Sequence, residues 1–311
     1  MKKINIGLIG LGYFGSFHLN NILNTKFNLT GFYDSDEQKA LEIEKKTGIK
    51  KYNDPETLIN EVDAIDITTP TVYHYDLIKK AILAGKHVFV EKPMTSNSDQ
   101  ALDILRLLKK ADIKLQVGHI ERFNPAVDIE ELKKENIIKI EANRLSTYNP
   151  RGTDVSVIFD LMIHDIDLIL AIMGDKIKSI EASGLIKYGK NIEFGNACLT
   201  FEQGNMAVLN SSIIHPYMER KLKIWTVRGY YELDLAKKEI NKYFYSLKPD
   251  KENNIFAENI FEKKDANNSI LDELNEFYYS IIENKPTKVN ALDGYRAVKL
   301  AEDILNKIKT E

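Results

Sequence analysis

The sequence predicts an α/β protein in two parts: an N-terminal domain built on a parallel sheet, and a C-terminal α+β domain with a mostly antiparallel, open-faced sheet. Up to residue 120, short apolar runs alternate with helix-patterned stretches, which is typical of a parallel sheet. Beyond it, one strong helix is followed by consecutive β-rich runs, which favours antiparallel pairing. The length of 311 residues also exceeds what one compact core usually holds. We therefore predict domains at 1–120 and 121–311, and allow for the last helix to pack back on the first domain.

The first domain is predicted to alternate strands with helices. The strands are expected at 4–9, 29–34, 64–68, 87–90 and 114–118, with a weaker one at 50–52. The helices are expected at 14–24, 37–47, 55–60, 73–84 and 98–111. Pro55 stands at a first helical position, Gly48 and Gly85 follow helix ends, and Ser98 is the expected N-cap of the last helix.

The second domain is predicted to begin with a helix at 154–173. Strands are expected at 179–186, 197–201, 206–214, 221–227, 230–235 and 240–245, separated by glycine-containing breaks. The segment 248–268 is polar and charged, so we expect a loop there. Two helices are expected to close the chain, at 270–284 and 292–309. A sheet with helices on one side leaves its other face exposed, which predicts a homodimer or homotetramer built through this domain.

The composition narrows the class of partner. Lysine and arginine number 43 against 46 acidic residues, so the net charge of −3 offers no basic surface for nucleic acid. The single cysteine, Cys198, can form no intramolecular disulfide, which fits a reducing compartment. No run of eighteen apolar residues is present to cross a bilayer. We therefore expect a cytoplasmic protein with a small-molecule substrate and neither a nucleic acid nor a membrane as partner.

A glycine motif follows the first predicted strand and opens the first helix. Gly10, Gly12 and Gly15 form G-x-G-x-x-G, with Tyr13 and Phe14 between the last two. In a dinucleotide site the first glycine permits the turn, the second lets a pyrophosphate approach the backbone, and the third lets helix and strand pack. The helix N-terminus adds free N–H groups for the phosphates. A glycine triplet alone is also common in ordinary loops, so its position is what favours a cofactor site.

Asp34 ends the second predicted strand, nineteen residues past Gly15. A carboxylate at about this distance holds the adenosine ribose hydroxyls and repels a 2′-phosphate, which indicates NAD rather than NADP. The alternative is a turn or helix cap, because Asp34-Ser35-Asp36 also suits that role.

Two further strand ends face the same expected crevice, since ligands of such sheets lie beyond the carboxyl ends of the strands. The predicted cofactor contacts are Gly10, Gly12, Tyr13, Phe14, Gly15, Asp34, Thr69, Pro70, His74, Glu91 and Lys92. Lys92 lies between a carboxylate and Pro93, where it could polarise a hydroxyl or stabilise a developing alkoxide. The alternative is a solvated surface lysine.

The helix at 154–173 carries polar residues on an otherwise apolar pattern. Asp160, His164 and Asp167 fall on one face of a regular α-helix. They suit catalysis, in which a carboxylate orients an imidazole that takes a proton, or a structural pair that satisfies buried groups. A metal is the third reading, and we predict none because no further His or Cys cluster supplies the remaining ligands.

Taken together, these motifs resemble the Gfo/Idh/MocA family of dinucleotide-dependent sugar and polyol oxidoreductases. The resemblance rests on the glycine loop, the run A-G-K-H-V-F-V-E-K-P at 84–93 and the Asp-x-x-x-His helix. It implies a Rossmann-type first domain and a catalytic group of Lys92, Asp160 and His164. Many members have glycine two residues before this histidine, whereas this sequence has Met162.

The stretches 117–125 and 151–154 resemble a subgroup that includes UDP-N-acetylglucosamine 3-dehydrogenases, which make a 3-keto nucleotide sugar. A UDP-sugar brings a pyrophosphate, which arginine binds in bidentate geometry. The predicted substrate contacts are Arg122, Asn124, Arg144, Tyr148, Arg151, Asp160 and His164. The alternative for each arginine is a helix-end or surface position.

We therefore expect hydride transfer from a sugar carbon, C3 by the resemblance, to C4 of NAD⁺. His164 is the favoured base because an imidazole titrates near neutral pH. Lys92 would then hydrogen-bond the developing oxyanion, and Asp160 would orient them. The alternatives are another substrate (UDP-N-acetylglucosaminuronate, glucose or inositol), a non-catalytic NAD-sensing regulator, and a metal-dependent hydrolase built on His164 and Asp165.

Overall fold

The computed structural model describes residues 3–148, 155–250 and 252–308. The chain divides into two compact units. The first unit comprises Met1–Ile120 and Asn268–Val298, and the second comprises Glu121–Asn267 and Lys299–Glu311. No helix within the described ranges is both long enough and apolar enough to span a membrane.

The first unit is built on a five-stranded sheet, which confirms the predicted parallel architecture. Its strands are β1 (Asn5–Ile9), β2 (Asn28–Tyr33), β3 (Ala64–Ile67), β4 (His87–Glu91) and β5 (Leu115–Gly118). They lie in the order β2-β1-β3-β4-β5, and every neighbouring pair is parallel. The chain starts in the middle of the sheet and proceeds outward on either side of β1. A crevice at the carboxyl ends of β1 and β3 follows from this reversal, and it is where such sheets bind ligands.

Five helices connect these strands: α1 (Tyr13–Ile22), α2 (Glu37–Thr47), α3 (Pro55–Glu61), α4 (His74–Leu83) and α5 (Ser98–Leu108). The predicted Pro55 start and the left-handed Gly48 after α2 are confirmed. The N-cap predicted at Ser98 is wrong by one residue, because the Asn97 side chain accepts from Gln100 N and Ser98 is already helical. The strand expected at 50–52 is reduced to a single bridge between Phe32 and Lys51.

The second unit contains an eight-stranded sheet in the order β13-β12-β11-β10-β6-β9-β8-β7. Its strands are β6 (Ile137–Leu145), β7 (Ile177–Leu185), β8 (Phe194–Phe201), β9 (Met206–Ser212), β10 (Glu219–Thr226), β11 (Gly229–Asp234), β12 (Glu239–Tyr245) and β13 (Phe256–Lys263). Among these described strands only β6 and β9 pair in parallel, so the prediction of a mostly antiparallel sheet is confirmed.

The sequence analysis does not predict two of these strands, and each omission has a physical reason. β6 lies at the centre of the sheet, yet its buried positions are Ile140, Ala142 and Arg144, so the alternating pattern lacks a continuous apolar face. β13 falls within 248–268, where a loop was predicted. It pairs with β12 at the sheet edge and is mostly exposed, so its polar composition resembles that of a loop.

One face of this sheet carries the helix of the second unit, and the other is open. The short α6 (Ile129–Leu132) precedes β6; a π-helical turn at Ile158–Met162 leads directly into α7 (Ile163–Met173). Ile166 and Ile169 of α7 are fully buried, whereas Glu141 and Lys223 on the open face of the sheet are partly exposed and pair at 3.7 Å. The predicted start of the helix at Asp154 lies outside the described residues.

The last two helices are α8 (Ser269–Ile282) and α9 (Ala291–Lys307). α8 belongs to the first unit, where Leu274 and Phe277 join the core cluster that contains Phe27 and Phe89. Gln116 of β5 donates its side-chain amide to the carbonyl of Glu273 at 2.7 Å. A segment late in the chain thereby supplies part of the core of the parallel-sheet unit.

Candidate active site

The glycine loop closes on the segment that follows β3. Gly10 has φ of +96°, a conformation that only glycine adopts freely, and a Cβ there would lie 2.8 Å from the amide nitrogen of Thr69. A Cβ on Gly15 would meet the carbonyl oxygen of Gly10 at 2.1 Å. Thr68 fastens the loop by donating its hydroxyl to the Gly10 carbonyl at 2.7 Å. The fold of the first unit therefore requires glycine at positions 10 and 15.

No contact within the protein requires glycine at position 12. Its φ is −59°, and a Cβ built there would have no atom within 4 Å. Glycine at this position therefore preserves open space at the N-terminus of α1, where a phosphate could approach the backbone. Nearby, Thr69 Oγ1 is buried and has no hydrogen-bond partner among the described residues. Both features fit a dinucleotide held at this edge of the sheet.

Asp34 follows β2 and is bonded to the glycine loop. One carboxylate oxygen accepts from Leu11 N at 2.5 Å, and the other accepts from Asp36 N at 2.8 Å. Each oxygen has a second lone pair, so the carboxylate retains capacity to accept from a ribose hydroxyl. Asp34 thus both caps the turn and stands where the sequence predicted a ribose contact.

His74 has a different role from the one predicted. Its ring is buried, with Nε2 2.8 Å from the Thr69 carbonyl and Nδ1 2.9 Å from the Pro93 carbonyl. Burial lowers the pKa of this imidazole. Because the ring lies between the segments that follow β3 and β4, we assign His74 to holding them together and not to contacting a cofactor. Pro70, beside it, is exposed.

Tyr13 and Phe14 are exposed at the start of α1. Their side chains are 75% and 54% exposed, and Tyr13 packs edge-on against Phe14 and Phe17 at 5.6 and 5.0 Å between ring centroids. These exposed rings give the glycine loop an apolar rim.

Lys92 lies directly after β4, and the Lys92–Pro93 peptide bond is cis. The carboxylate of the preceding Glu91 accepts from Lys92 N at 3.1 Å through Oε2. Its other oxygen, Oε1, lies 3.0 Å from Nε2 of buried His18. Glu91, predicted as a cofactor contact, therefore turns into the protein and fixes the backbone at Lys92.

Asp160 and His164 lie on the helical segment of the second unit, and both are partly exposed. Asp160 is in the π-helical turn and His164 in the first turn of α7. This wider turn changes the angular register expected for a regular α-helix, and such turns are frequent at functional sites. Asp167, which the sequence placed on the same face, is buried and pairs with Arg122.

Arg144, a predicted substrate contact, is buried in an ion-pair network. Its Nε and Nη2 donate to the two oxygens of Asp165 at 3.0 and 2.7 Å, and Nη1 donates to Glu121 at 2.8 Å. Burial by itself would lower the pKa of Arg144, but the two carboxylates raise it, so the guanidinium stays charged. We therefore assign Arg144 to anchoring α7 and not to binding phosphate.

The side chains of Arg122 and Asn124 are also buried and hydrogen-bonded within the second unit. Arg122 donates to both oxygens of Asp167 at 2.6 and 2.8 Å, in bidentate geometry. Asn124 donates to Glu121 and to the Leu235 carbonyl, both at 2.9 Å. Both predicted substrate contacts are therefore hydrogen-bonded within the second unit, and we assign them a structural role.

Tyr148, another predicted substrate contact, lies at the surface. Its side chain is 47% exposed and packs edge-on against Tyr188 at 5.5 Å between centroids. The predicted contact Arg151 lies outside the described residues. The backbone amide of Tyr188 donates to the Glu193 carboxylate at 2.7 Å.

Comparison with known proteins agrees with this architecture. Residues 4–119 match the family described as "Oxidoreductase family, NAD-binding Rossmann fold", and residues 138–232 match the GFO/IDH/MocA C-terminal domain. UDP-N-acetylglucosamine 3-dehydrogenase from Acidithiobacillus ferrooxidans is 30% identical over 244 residues, which are 78% of each chain. Myo-inositol 2-dehydrogenase from Thermotoga maritima is 27% identical over 96% of this chain and 94% of its own.

Solved structures give the same result. UDP-N-acetylglucosamine 3-dehydrogenase GnnA from Acidithiobacillus ferrooxidans superposes with a TM-score of 0.91 at 25% identity, over 99% of this chain and 98% of that one. Scyllo-inositol dehydrogenase from Lactobacillus casei, solved with NAD(H) and scyllo-inositol, shares the fold with a TM-score of 0.80 at 22% identity, over 99% and 97% of the two chains. The protein is thus an NAD-binding oxidoreductase. It belongs to the Gfo/Idh/MocA family of sugar and polyol dehydrogenases.

The two kinds of glycine in the loop predict opposite phenotypes. Gly12→Ala should change the free energy of unfolding by less than about 0.5 kcal/mol, because the new methyl group meets open space. It should weaken NAD binding by about tenfold or more, because a pyrophosphate needs that space. Gly10→Ala should destabilise the fold by about 1–3 kcal/mol through its positive φ and the contact with Thr69. Thermal unfolding and NAD titration measure both, and unchanged NAD affinity in Gly12→Ala would contradict the assignment.

The buried network predicts a large loss of stability on removing its cation. Arg144→Met leaves Asp165 and Glu121 buried without their partner, which should cost about 3–5 kcal/mol in denaturant unfolding. Arg228→Met is the matched control, since Arg228 is 70% exposed and its ion pair at 3.7 Å should contribute little. Equal destabilisation of the two variants would show that Arg144 does not anchor the unit.

Proposed function

We propose that the protein catalyses the NAD-dependent oxidation of the C3 hydroxyl of a UDP-N-acetylglucosamine-type nucleotide sugar to a 3-keto sugar. The observation that carries the proposal is the alignment with UDP-N-acetylglucosamine 3-dehydrogenase over 78% of both chains at 30% identity, compared with 27% for myo-inositol 2-dehydrogenase. The TM-score of 0.91 against the enzyme of that name, compared with 0.80 for an inositol dehydrogenase, supports the same choice.

The residues proposed for the chemistry are Lys92, Asp160 and His164. His164 accepts the proton of the sugar hydroxyl, a general-base role to which an imidazole is suited. Lys92 hydrogen-bonds the oxygen as negative charge develops on it. Asp160 orients the imidazole and stabilises it once it is protonated. Bound NAD⁺ supplies a hydride acceptor at C4 of its nicotinamide.

The first unit provides the residues proposed to hold the dinucleotide. Gly12 and the N-terminus of α1 suit the pyrophosphate, and the carboxylate of Asp34 suits the ribose hydroxyls. Thr69 offers the buried, unpartnered hydroxyl described above. Of the predicted substrate contacts, Tyr148 and Arg151 stay in the proposal together with Asp160 and His164.

We place the reaction in the cytoplasm, in keeping with the lone Cys198, and expect a homodimer or homotetramer assembled through the open face of the second unit's sheet. That face carries charged pairs such as Lys221 with Glu232 at 2.9 Å and aromatic neighbours such as Trp225 and Tyr230.

A second candidate is the same oxidation of a free polyol. It is favoured by the alignment with myo-inositol 2-dehydrogenase over 96% of this chain, which is more of the chain than the nucleotide-sugar enzyme covers. Incubating the protein and NAD⁺ with UDP-sugars and with inositols, and following NADH absorbance, separates the two. Turnover of inositol without turnover of any UDP-sugar would overturn the primary proposal.

The proposed catalytic roles predict that substitutions lower kcat while NAD binding is retained. Lys92→Met and His164→Asn should each lower kcat by about 10²–10⁴-fold, because each removes a group that acts on the transferred proton or the developing charge. NAD should still bind, as measured by fluorescence titration. Lys109→Met, at an exposed lysine after α5, is the matched control and should retain full activity. Retained turnover in both active-site variants would refute the scheme.

A further inference from the structure

A buried cluster of one imidazole and three carboxylates lies in the first unit, next to Lys92. Its members come from four separate elements: His18 of α1, Asp66 of β3, Glu91 of β4 and Glu273 of α8. His18, Asp66 and Glu273 are fully buried, and the side chain of Glu91 is 14% exposed. Buried ionisable groups are costly unless they are paired or neutral, so this concentration of acid requires an explanation.

His18 pairs with two of the three carboxylates. Its Nδ1 lies 2.8 Å from Asp66 and its Nε2 lies 3.0 Å from Glu91. An imidazole donates from both nitrogens only when it is protonated. Burial by itself would lower the pKa of His18, but Asp66 and Glu91 together raise it well above its ordinary value. His18 is therefore an imidazolium that bridges two carboxylates.

Glu273 is the third carboxylate, and it has no cation of its own. Both of its carboxylate oxygens are buried without a hydrogen-bond partner among the described residues. One of them lies within 4.8 Å of Glu91 and of the His18 ring nitrogen. Burial raises the pKa of Glu273 well above its ordinary value, and the charges of Glu91, Asp66 and Asp272 raise it further, against the opposing effect of His18. Burial and the neighbouring carboxylates therefore favour the protonated form of this side chain.

Glu91 links this cluster to the reactive lysine. While Oε1 faces His18, Oε2 accepts from the backbone amide of Lys92 at 3.1 Å. Gly118, which pairs with Glu91 across β4 and β5, leaves room for this carboxylate, since a Cβ there would lie 2.8 Å from Oε1. The position of Glu91 therefore fixes the start of the Lys92–Pro93 turn.

We propose that Glu273 is a positioning residue for Lys92: in its protonated form it leaves Glu91 between His18 and the Lys92 amide, and its ionisation at alkaline pH displaces Glu91 and lowers turnover. The mechanism is charge repulsion, because an ionised Glu273 would place another carboxylate within 4.8 Å of Glu91 and close to Asp66, where His18 and Lys92 are the cations that act on Glu91. The kinetic part of this inference rests on the proposed function of Lys92, whereas the protonation of Glu273 does not.

The sign of the stability effect follows from the raised pKa of Glu273. A buried acid of raised pKa stabilises the folded state fully below the pKa of the unfolded chain, and this contribution is lost as pH rises through the folded pKa. Glu273→Gln replaces the neutral acid with a neutral side chain of the same shape. The variant should therefore unfold at a higher temperature than the native protein at pH 8. The two melting temperatures should converge below the ordinary pKa of a glutamate.

The test compares Glu273→Gln with Glu283→Gln, which removes the same charge at the exposed end of α8. In Glu273→Gln the alkaline fall of kcat should move up by about one pH unit or more, with KM for NAD unchanged at neutral pH. Glu283→Gln should match the native protein in pH profile and in melting temperature. An alkaline fall of kcat at the native position in Glu273→Gln would overturn the positioning role, even if the sugar oxidised is other than the one proposed.

A second measurement reads the proton on Glu273 without any turnover. Infrared difference spectra of native protein and Glu273→Gln at neutral pH should show the carbonyl band of one protonated carboxyl group in the native protein only. Metal analysis of the same samples tests the alternative that a cation is bound between His18, Glu91 and Glu273. One equivalent of metal in the native protein that is lost in Glu273→Gln would overturn the inference. Absence of the infrared band would overturn it as well.

Discussion

Compensation of buried charge is the constraint on which both halves of this protein depend. An ionised side chain removed from water without a partner costs several kcal/mol, so each buried charge must meet a counter-charge or a proton. The first unit offsets Asp66 and Glu91 with the His18 imidazolium, and burial favours the protonated form of Glu273. The second unit offsets Asp165 and Asp167 with two guanidiniums.

The same constraint acts beside the residues proposed for catalysis. Lys92 directly follows Glu91, and His164 directly precedes Asp165, so each is the sequence neighbour of a buried, paired carboxylate. In both units that carboxylate is bonded to another strand or helix, so the backbone beside the proposed catalytic residue is held in place. Precise positioning of this kind is what proton and hydride transfer require. It also separates the roles of charged residues: some hold the backbone, and others are left to act on a ligand.

The parallel-sheet unit could be predicted from the sequence because its strands are buried on both faces and read as apolar runs between glycines and prolines. The second sheet was predicted only in part. β6 buries an arginine where a strand pattern requires an apolar residue, and β13 is an exposed edge, so neither produced a strand signal. Arg122 and Arg144 were predicted to bind phosphate because no local pattern identifies an aspartate 45 or 21 residues away as the partner. The acidic pair Asp165 and Asp167 in an apolar helix was the available signal. Glu273 was missed for the same reason, since its neighbours are assembled by the fold from distant segments.

The most direct test of the account follows the hydride itself. UDP-N-acetylglucosamine carrying deuterium at C3 would be incubated with the protein and NAD⁺, and the cofactor would be recovered for mass spectrometry and for NMR at C4 of the nicotinamide. The account predicts NADH that carries one deuterium at C4, together with a 3-keto sugar that has lost it. Deuterium that stays on the sugar while NADH forms would contradict oxidation at C3, and an absence of NADH would contradict the proposed substrate.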